Sequence, residues 1–157
     1  MKTENKNELQ LTDINTFKNK TFITTSYMQT KQLATNFAKV LKPKDIVLFN
    51  GDLGTGKTTF IQGIMKYFGI KKFVRSASFM LVNEFETKNI KLYHLDLYRL
   101  NDVDIFDFGI DEYLFGDGIS FVEWSERLQN NVIKKYWQVN LEYIDENKRK
   151  INIKRYL

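Results

Sequence analysis

The residues Gly51-Asp52-Leu53-Gly54-Thr55-Gly56-Lys57-Thr58 fit the pattern G-x-x-x-x-G-K-[ST] without a mismatch. The spacing has a mechanical reason. Glycines permit backbone angles and a close approach that side chains would block, so successive N–H groups, backed by a helix N-terminus, can turn toward an anion. In such a loop the lysine, here Lys57, bridges the β- and γ-phosphates, and the hydroxyl of Thr58 ligates Mg²⁺. Asp52, Gly54, Thr55, Gly56 and Thr59 complete the expected cradle. No N-K-x-D stretch that would read guanine is present, so ATP with Mg²⁺ is the expected ligand.

Magnesium takes oxygen ligands in an octahedral shell, commonly with a carboxylate near the loop threonine. Asp96 ends the run Leu92-Tyr93-His94-Leu95, and Glu123 ends Ile119-Ser120-Phe121-Val122. Each stands at the C-terminal edge of an apolar strand, where ligands of open α/β sheets collect. Spacing alone does not rank the two acids. His94, the only histidine, alternates with Asp96; a packed strand histidine and a proton relay both fit that pattern. Arg75, Arg99 and Arg127 are candidates for stabilising the transferring phosphoryl group. Trp124 follows Glu123 and reads as core packing or as a gate.

These side chains need a scaffold, and the periodicity supplies one. Thr21 to Thr25 is β-branched and aromatic, a short strand, and Leu33, Phe37 and Leu41 then mark one helix face before Pro43. Ile46 to Phe49 is a continuous apolar run, as in a strand buried on both faces, and the glycine loop follows it directly. Phe60, Ile61, Ile64, Met65 and Phe68 form the next helix face, with Gly69 at its C-cap position. Met80 to Glu86 and Ile90 to Leu97 read as an antiparallel hairpin around Thr87-Lys88-Asn89. Asp102 to Phe108 reads as a short helix capped by Asn101 and stopped by Gly109. Trp137 to Tyr143 and Ile151 to Arg155 alternate apolar and polar residues, a second hairpin. The expected class is α/β: a P-loop NTPase-like central sheet, mixed parallel and antiparallel, flanked by helices.

With 157 residues, 43% of them hydrophobic, the chain is sized for one domain. Residues 1–19 are polar and read as a flexible extension, and residues 20–157 as the domain. Without cysteine and with one histidine, the chain has no disulfide frame and no zinc site of the usual ligands. No apolar run approaches a membrane span and the N-terminus lacks a signal-peptide core, so a cytoplasmic protein is expected, without membrane or DNA as partners. The net charge of +5 is uneven: residues 134 to 155 carry seven basic side chains against three acids. That tilt reads as a solvated face or as steering toward RNA or an acidic protein surface.

Three blocks together, Asn50 to Phe60, Leu92 to Leu100 (LYHLDLYRL) and Phe121 to Leu128 (FVEWSERL), resemble the TsaE family, also called YjeE. The resemblance spans about Thr21 to Leu128. It implies an ATP-hydrolysing accessory subunit for threonylcarbamoyl-adenosine modification of tRNA next to the anticodon, working with TsaD-like and TsaB-like partners, with tRNA contacted directly or through them. Carried over by position, Thr58 and Glu123 bind Mg²⁺, Lys57 binds the phosphates, Asp96 serves the hydrolytic step or a nucleotide contact, and Thr30, at the start of the first helix, falls near the segment that approaches the adenine in this family. The family's switch-like segment has Ser-Pro-Thr-aromatic-Thr-Leu where this chain has Ser76-Ala77-Ser78-Phe79-Met80-Leu81. Met80 removes a hydroxyl, while Ser76 and Ser78 remain candidate γ-phosphate sensors. Two other readings use the same loop: a small-molecule kinase, and an ATP-controlled docking module without a turnover role.

Overall fold

The computed structural model of the chain describes residues 13–72, 82–129 and 132–157. The switch-like segment from Ser76 to Leu81, and Arg75 before it, lie outside the described residues.

A seven-stranded mixed sheet organises the molecule. In chain order the elements are α1 (Ile14–Phe17), β1 (Lys20–Thr24), α2 (Tyr27–Ala38), β2 (Ile46–Asn50), α3 (Lys57–Tyr67), β3 (Val82–Glu86), β4 (Lys91–Asp96), α4 (Ile110–Leu114), β5 (Ile119–Glu123), β6 (Tyr136–Tyr143) and β7 (Arg149–Tyr156). The strand order is β1-β7-β6-β2-β5-β4-β3. β2 sits at the centre, parallel to β5 on one side and to β6 on the other, and β4 runs parallel to β5. The two hairpins, β3–β4 and β6–β7, are antiparallel, as their alternating patterns require, and β1 adds antiparallel to β7 at the edge.

The apolar run of β2 is explained by its two covered faces. Val47 and Phe49 join a core with Phe37, Ala34, Phe60, Ile61 and Ile64 of α2 and α3, while Ile46 and Leu48 join a second core with Leu95, Val103, Ile105, Ile110 and Val122. Alternate side chains of a strand point to opposite faces, so every position of β2 up to Phe49 must be apolar. In the first core Phe37 meets the fully buried Trp137 edge-on, centroids 5.1 Å apart. α2 starts where Ser26 caps it, its hydroxyl accepting the Gln29 N–H at 3.1 Å.

In the described part of the polar extension, Asp13 caps the single turn α1 and Phe17 is fully buried against Phe22 and Phe37. One local expectation is corrected. The helix expected over Asp102 to Phe108 is absent: Val103 instead bridges Leu128, a 3-10 turn spans Asp107–Gly109, and the helix follows Gly109 as α4. Asp104 and Asp107 compete with helix formation by accepting local backbone N–H groups, Phe106 N–H at 2.9 Å and Asp104 N–H at 3.3 Å. No helix among the described residues is long and apolar enough to cross a membrane.

Candidate active site

The glycine loop leaves the C-terminal end of β2 and runs into the first turn of α3, the strand, loop and helix that a phosphate cradle needs. Gly56 adopts φ of 99° directly before Lys57, a left-handed conformation that strains any residue with a Cβ. Gly51 is constrained differently: a Cβ there would stand 2.5 Å from the Leu141 carbonyl oxygen on β6. The first N–H groups of α3, from Lys57 onward, have no partner further back in the helix and carry its positive end.

A cavity of about 390 Å³ opens over this turn, lined by Gly54, Gly56, Lys57, Thr58 and Thr59 from the loop, Asp96, Tyr98 and Arg99 from the end of β4, and Glu123 and Trp124 from the end of β5. The topology explains the meeting. β2, β4 and β5 are parallel, so their C-terminal ends share one edge of the sheet, and the register sets Asp96 opposite Glu123. The Thr58 hydroxyl donates to Glu123, 2.9 Å from Oε1 and 3.2 Å from Oε2. Asp96 is buried, and its Oδ1 accepts the Tyr98 N–H at 3.0 Å. Lys57, Thr58, Asp96 and Glu123, singled out in the sequence, therefore surround one space.

Lys57 is buried, and its ammonium donates to the backbone carbonyls of Gly51 and Asp52, the latter at 3.1 Å. Burial pushes its pKa below the usual 10.5, and the carboxylates of Glu123, Glu126, Asp96 and Asp52 oppose that shift. The same ammonium lies over the Trp124 ring, 4.1 Å from its centroid. Trp124 is thus a wall of the cavity and a cation–π partner, beyond the packing role its sequence position suggests. It holds a left-handed backbone with φ of 57°, at which the chain turns off β5 and exposes the indole to the loop.

A second cavity of about 200 Å³ lies on the other side of the loop, lined by Tyr27, Thr30, Thr55, Gly56, Thr59, Glu146, Asn147 and Arg149. Thr30 is here, almost wholly buried, its hydroxyl 2.7 Å from that of Thr24. Thr55 lines this cavity and not the first; its hydroxyl donates to the Asp52 carbonyl at 2.8 Å. The Asp52 side chain is exposed and lines neither cavity, so Asp52 enters the loop through its backbone.

Among the arginines, Arg99 lines the first cavity, whereas Arg127 donates to the Leu100 carbonyl at 3.0 Å and to Asn101 Oδ1 at 2.7 Å, bracing the segment after β4. Sequence reasoning missed Arg149. Its Nε donates to the Thr55 carbonyl at 3.2 Å and a terminal nitrogen donates to that of Gly54 at 3.4 Å, so the β6–β7 hairpin grips the loop from outside. His94 is fully buried, and its Nε2 lies 2.8 Å from Glu123 Oε1. Among the described residues no group of three or more His, Cys, Asp or Glu side chains forms a metal cage. The Thr58 hydroxyl and the Glu123 carboxylate beside the start of α3 are oxygen donors, the kind of ligand that Mg²⁺ takes.

The family model described as "Threonylcarbamoyl adenosine biosynthesis protein TsaE" matches residues 24–151. Relatives named tRNA threonylcarbamoyladenosine biosynthesis protein TsaE include one from Rickettsia felis, 45% identical over 127 residues covering 80% of this chain and 74% of its own. The Aquifex aeolicus relative is 41% identical, covering 87% of this chain and 96% of its own, and the Bacillus subtilis relative is 35% identical, covering 78% and 77%. The crystal structure of Bacillus subtilis YdiB superposes with a TM-score of 0.73 at 30% identity, over 89% of this chain and 87% of that one.

Proposed function

The chain belongs to the TsaE family of tRNA threonylcarbamoyladenosine biosynthesis, and from that premise we propose that it is a cytoplasmic, Mg²⁺-dependent ATPase subunit acting with TsaD-like and TsaB-like partners. The observation that carries the proposal is the convergence of Lys57, Thr58, Asp96 and Glu123 on one cavity at the start of α3.

In this reading the N–H groups at the start of α3 and the Lys57 ammonium bind the β- and γ-phosphates. The ammonium exchanges its present carbonyl partners for phosphate oxygens, which offset the burial of its charge. Thr58 and Glu123 would hold Mg²⁺, whose chemistry is to neutralise charge developing on the phosphate oxygens. Asp96 orients the attacking water and accepts its proton as the water oxygen bonds to the γ-phosphorus and the bond to the bridging oxygen breaks, releasing ADP. Tyr98 N–H fixes that carboxylate in place. Thr30, Thr59 and Arg149 line the space beside the loop into which the nucleoside end extends.

Lys57→Ala tests the site: nucleotide binding or turnover should fall by about 100-fold or more, the scale of losing a preorganised charge partner. Nucleoside analysis of cellular tRNA after depletion tests the assignment to the pathway. A drop in threonylcarbamoyl-adenosine is expected, and normal levels after complete depletion with no paralogue present would overturn it.

A further inference from the structure

We propose that His94 is a positioning residue for Glu123: it donates one fixed hydrogen bond to Oε1 and thereby leaves Oε2 as the oxygen available to a metal ion. The inference rests on the Mg²⁺-dependent reading above and adds to it a residue that touches neither nucleotide nor ion.

His94 lies on β4 and Glu123 on the adjacent parallel strand β5, where the register pairs Asp96 with Glu123 and His94 with Phe121. The ring is fully buried and its Nε2 stands 2.8 Å from Oε1. A carboxylate only accepts hydrogen bonds, so the nitrogen facing it must carry the proton. The opposite nitrogen, Nδ1, is buried without a hydrogen-bond partner among the described residues. The other tautomer would bury an unmet donor at Nδ1 and set two lone pairs against each other at Nε2, which disfavours it on both counts. The geometry therefore assigns the proton to Nε2.

Among the described residues Oε1 is then committed twice, to His94 and to Thr58 at 2.9 Å, while Oε2 has the longer Thr58 contact at 3.2 Å alone. The two contacts restrain the carboxylate from opposite elements, β4 and α3. When the threonine oxygen turns to an ion, the His94 bond remains to hold the carboxylate plane. Packing alone does not account for the residue, because an apolar side chain in the same place would leave no orphaned Nδ1. Partners that orient a metal ligand are typically worth about 10- to 100-fold in metal affinity.

The test uses the full-length chain with a pair of substitutions of similar volume: His94→Gln, whose side-chain amide can donate to Oε1, and His94→Met, which has no donor. Binding of a fluorescent ADP analogue is titrated with Mg²⁺, and Mn²⁺ binding to the nucleotide complex is followed by electron paramagnetic resonance, so neither readout needs turnover. His94→Met should raise the half-saturating metal concentration by about 10- to 100-fold and change the Mn²⁺ spectrum, with metal-free nucleotide affinity unchanged. His94→Gln should restore the wild-type metal dependence. Equal behaviour of the two variants, impaired or unimpaired, overturns the positioning role. Nucleotide binding by the wild type that is indifferent to both metals overturns the Mg²⁺ reading itself, and this inference with it.

Discussion

The Lys57 ammonium rests over the Trp124 ring, so phosphates that draw the ammonium away should be seen by the indole. The other tryptophan, Trp137, is fully buried in the core. ATP should therefore change the emission of Trp124, with the change lost in Trp124→Phe; no nucleotide-dependent change in the parent protein would refute the exchange of partners. Glu123→Ala removes both the acceptor of the Thr58 hydroxyl and the neighbour of His94. It should raise the Mg²⁺ requirement for nucleotide binding by at least about 10-fold, measurable by metal titration at fixed nucleotide. Much of this was legible in the sequence, since Lys57 and Thr58 sit at fixed positions of a motif and both acids end apolar runs. The His94 to Glu123 bond was not, because it depends on the relative slide of β4 and β5, which neither strand's own pattern encodes. The turn of Trp124 was equally hidden, since a left-handed tryptophan has no local sequence signature.

The firmest sequence readings at the scale of elements were the two helices around the glycine loop and the two hairpins, where apolar spacing of three and four or of two is sustained. The stretch from Asn101 to Gly109 misled because its aspartates serve as local acceptors, and the hold of β7 on the loop is a contact between residues 94 or more apart in the chain. That hold predicts a measurable effect. Arg149→Met keeps the stem of the side chain but releases the Gly54 and Thr55 carbonyls, and nucleotide binding should weaken by roughly fivefold, a modest figure because the group is partly solvated. Packing of α2 on α3 gives a second case. A Cβ on Gly63 would meet the Ala34 Cβ at 2.6 Å and the Lys31 carbonyl oxygen at 2.7 Å, one of them backbone that cannot swing aside. Gly63→Ala gains roughly 1 kcal/mol of helix propensity but incurs an overpacking cost of about 1–3 kcal/mol. The expected outcome is a lower urea midpoint, and a raised midpoint would show that the helices can part.

Viewed as a whole molecule, the basic C-terminal end is less free than its composition suggests. Lys148 pairs with Asp145 at 3.7 Å, Lys150 with Glu142 at 3.4 Å, and Arg155 with Asp45 at 3.0 Å, while Arg149 is spent on the glycine loop. A charge reversal that included Arg149 would weaken nucleotide binding and so confuse the loss of an outer surface with damage to the site. Lys134, Lys135 and Lys154 are exposed and form none of these pairs. Reversing these three together changes the long-range field by six units of charge, each lysine going from +1 to −1, without touching either cavity. Surface changes of this kind usually stay within about 0.5 kcal/mol in stability. The triple variant Lys134→Glu, Lys135→Glu, Lys154→Glu should therefore keep its melting temperature and its affinity for Mg·ATP within about twofold at physiological salt, where exposed charges beyond roughly 8 Å are screened. A larger loss of nucleotide affinity would mean that the field of the whole chain, and not the local donors of the loop, holds the phosphates.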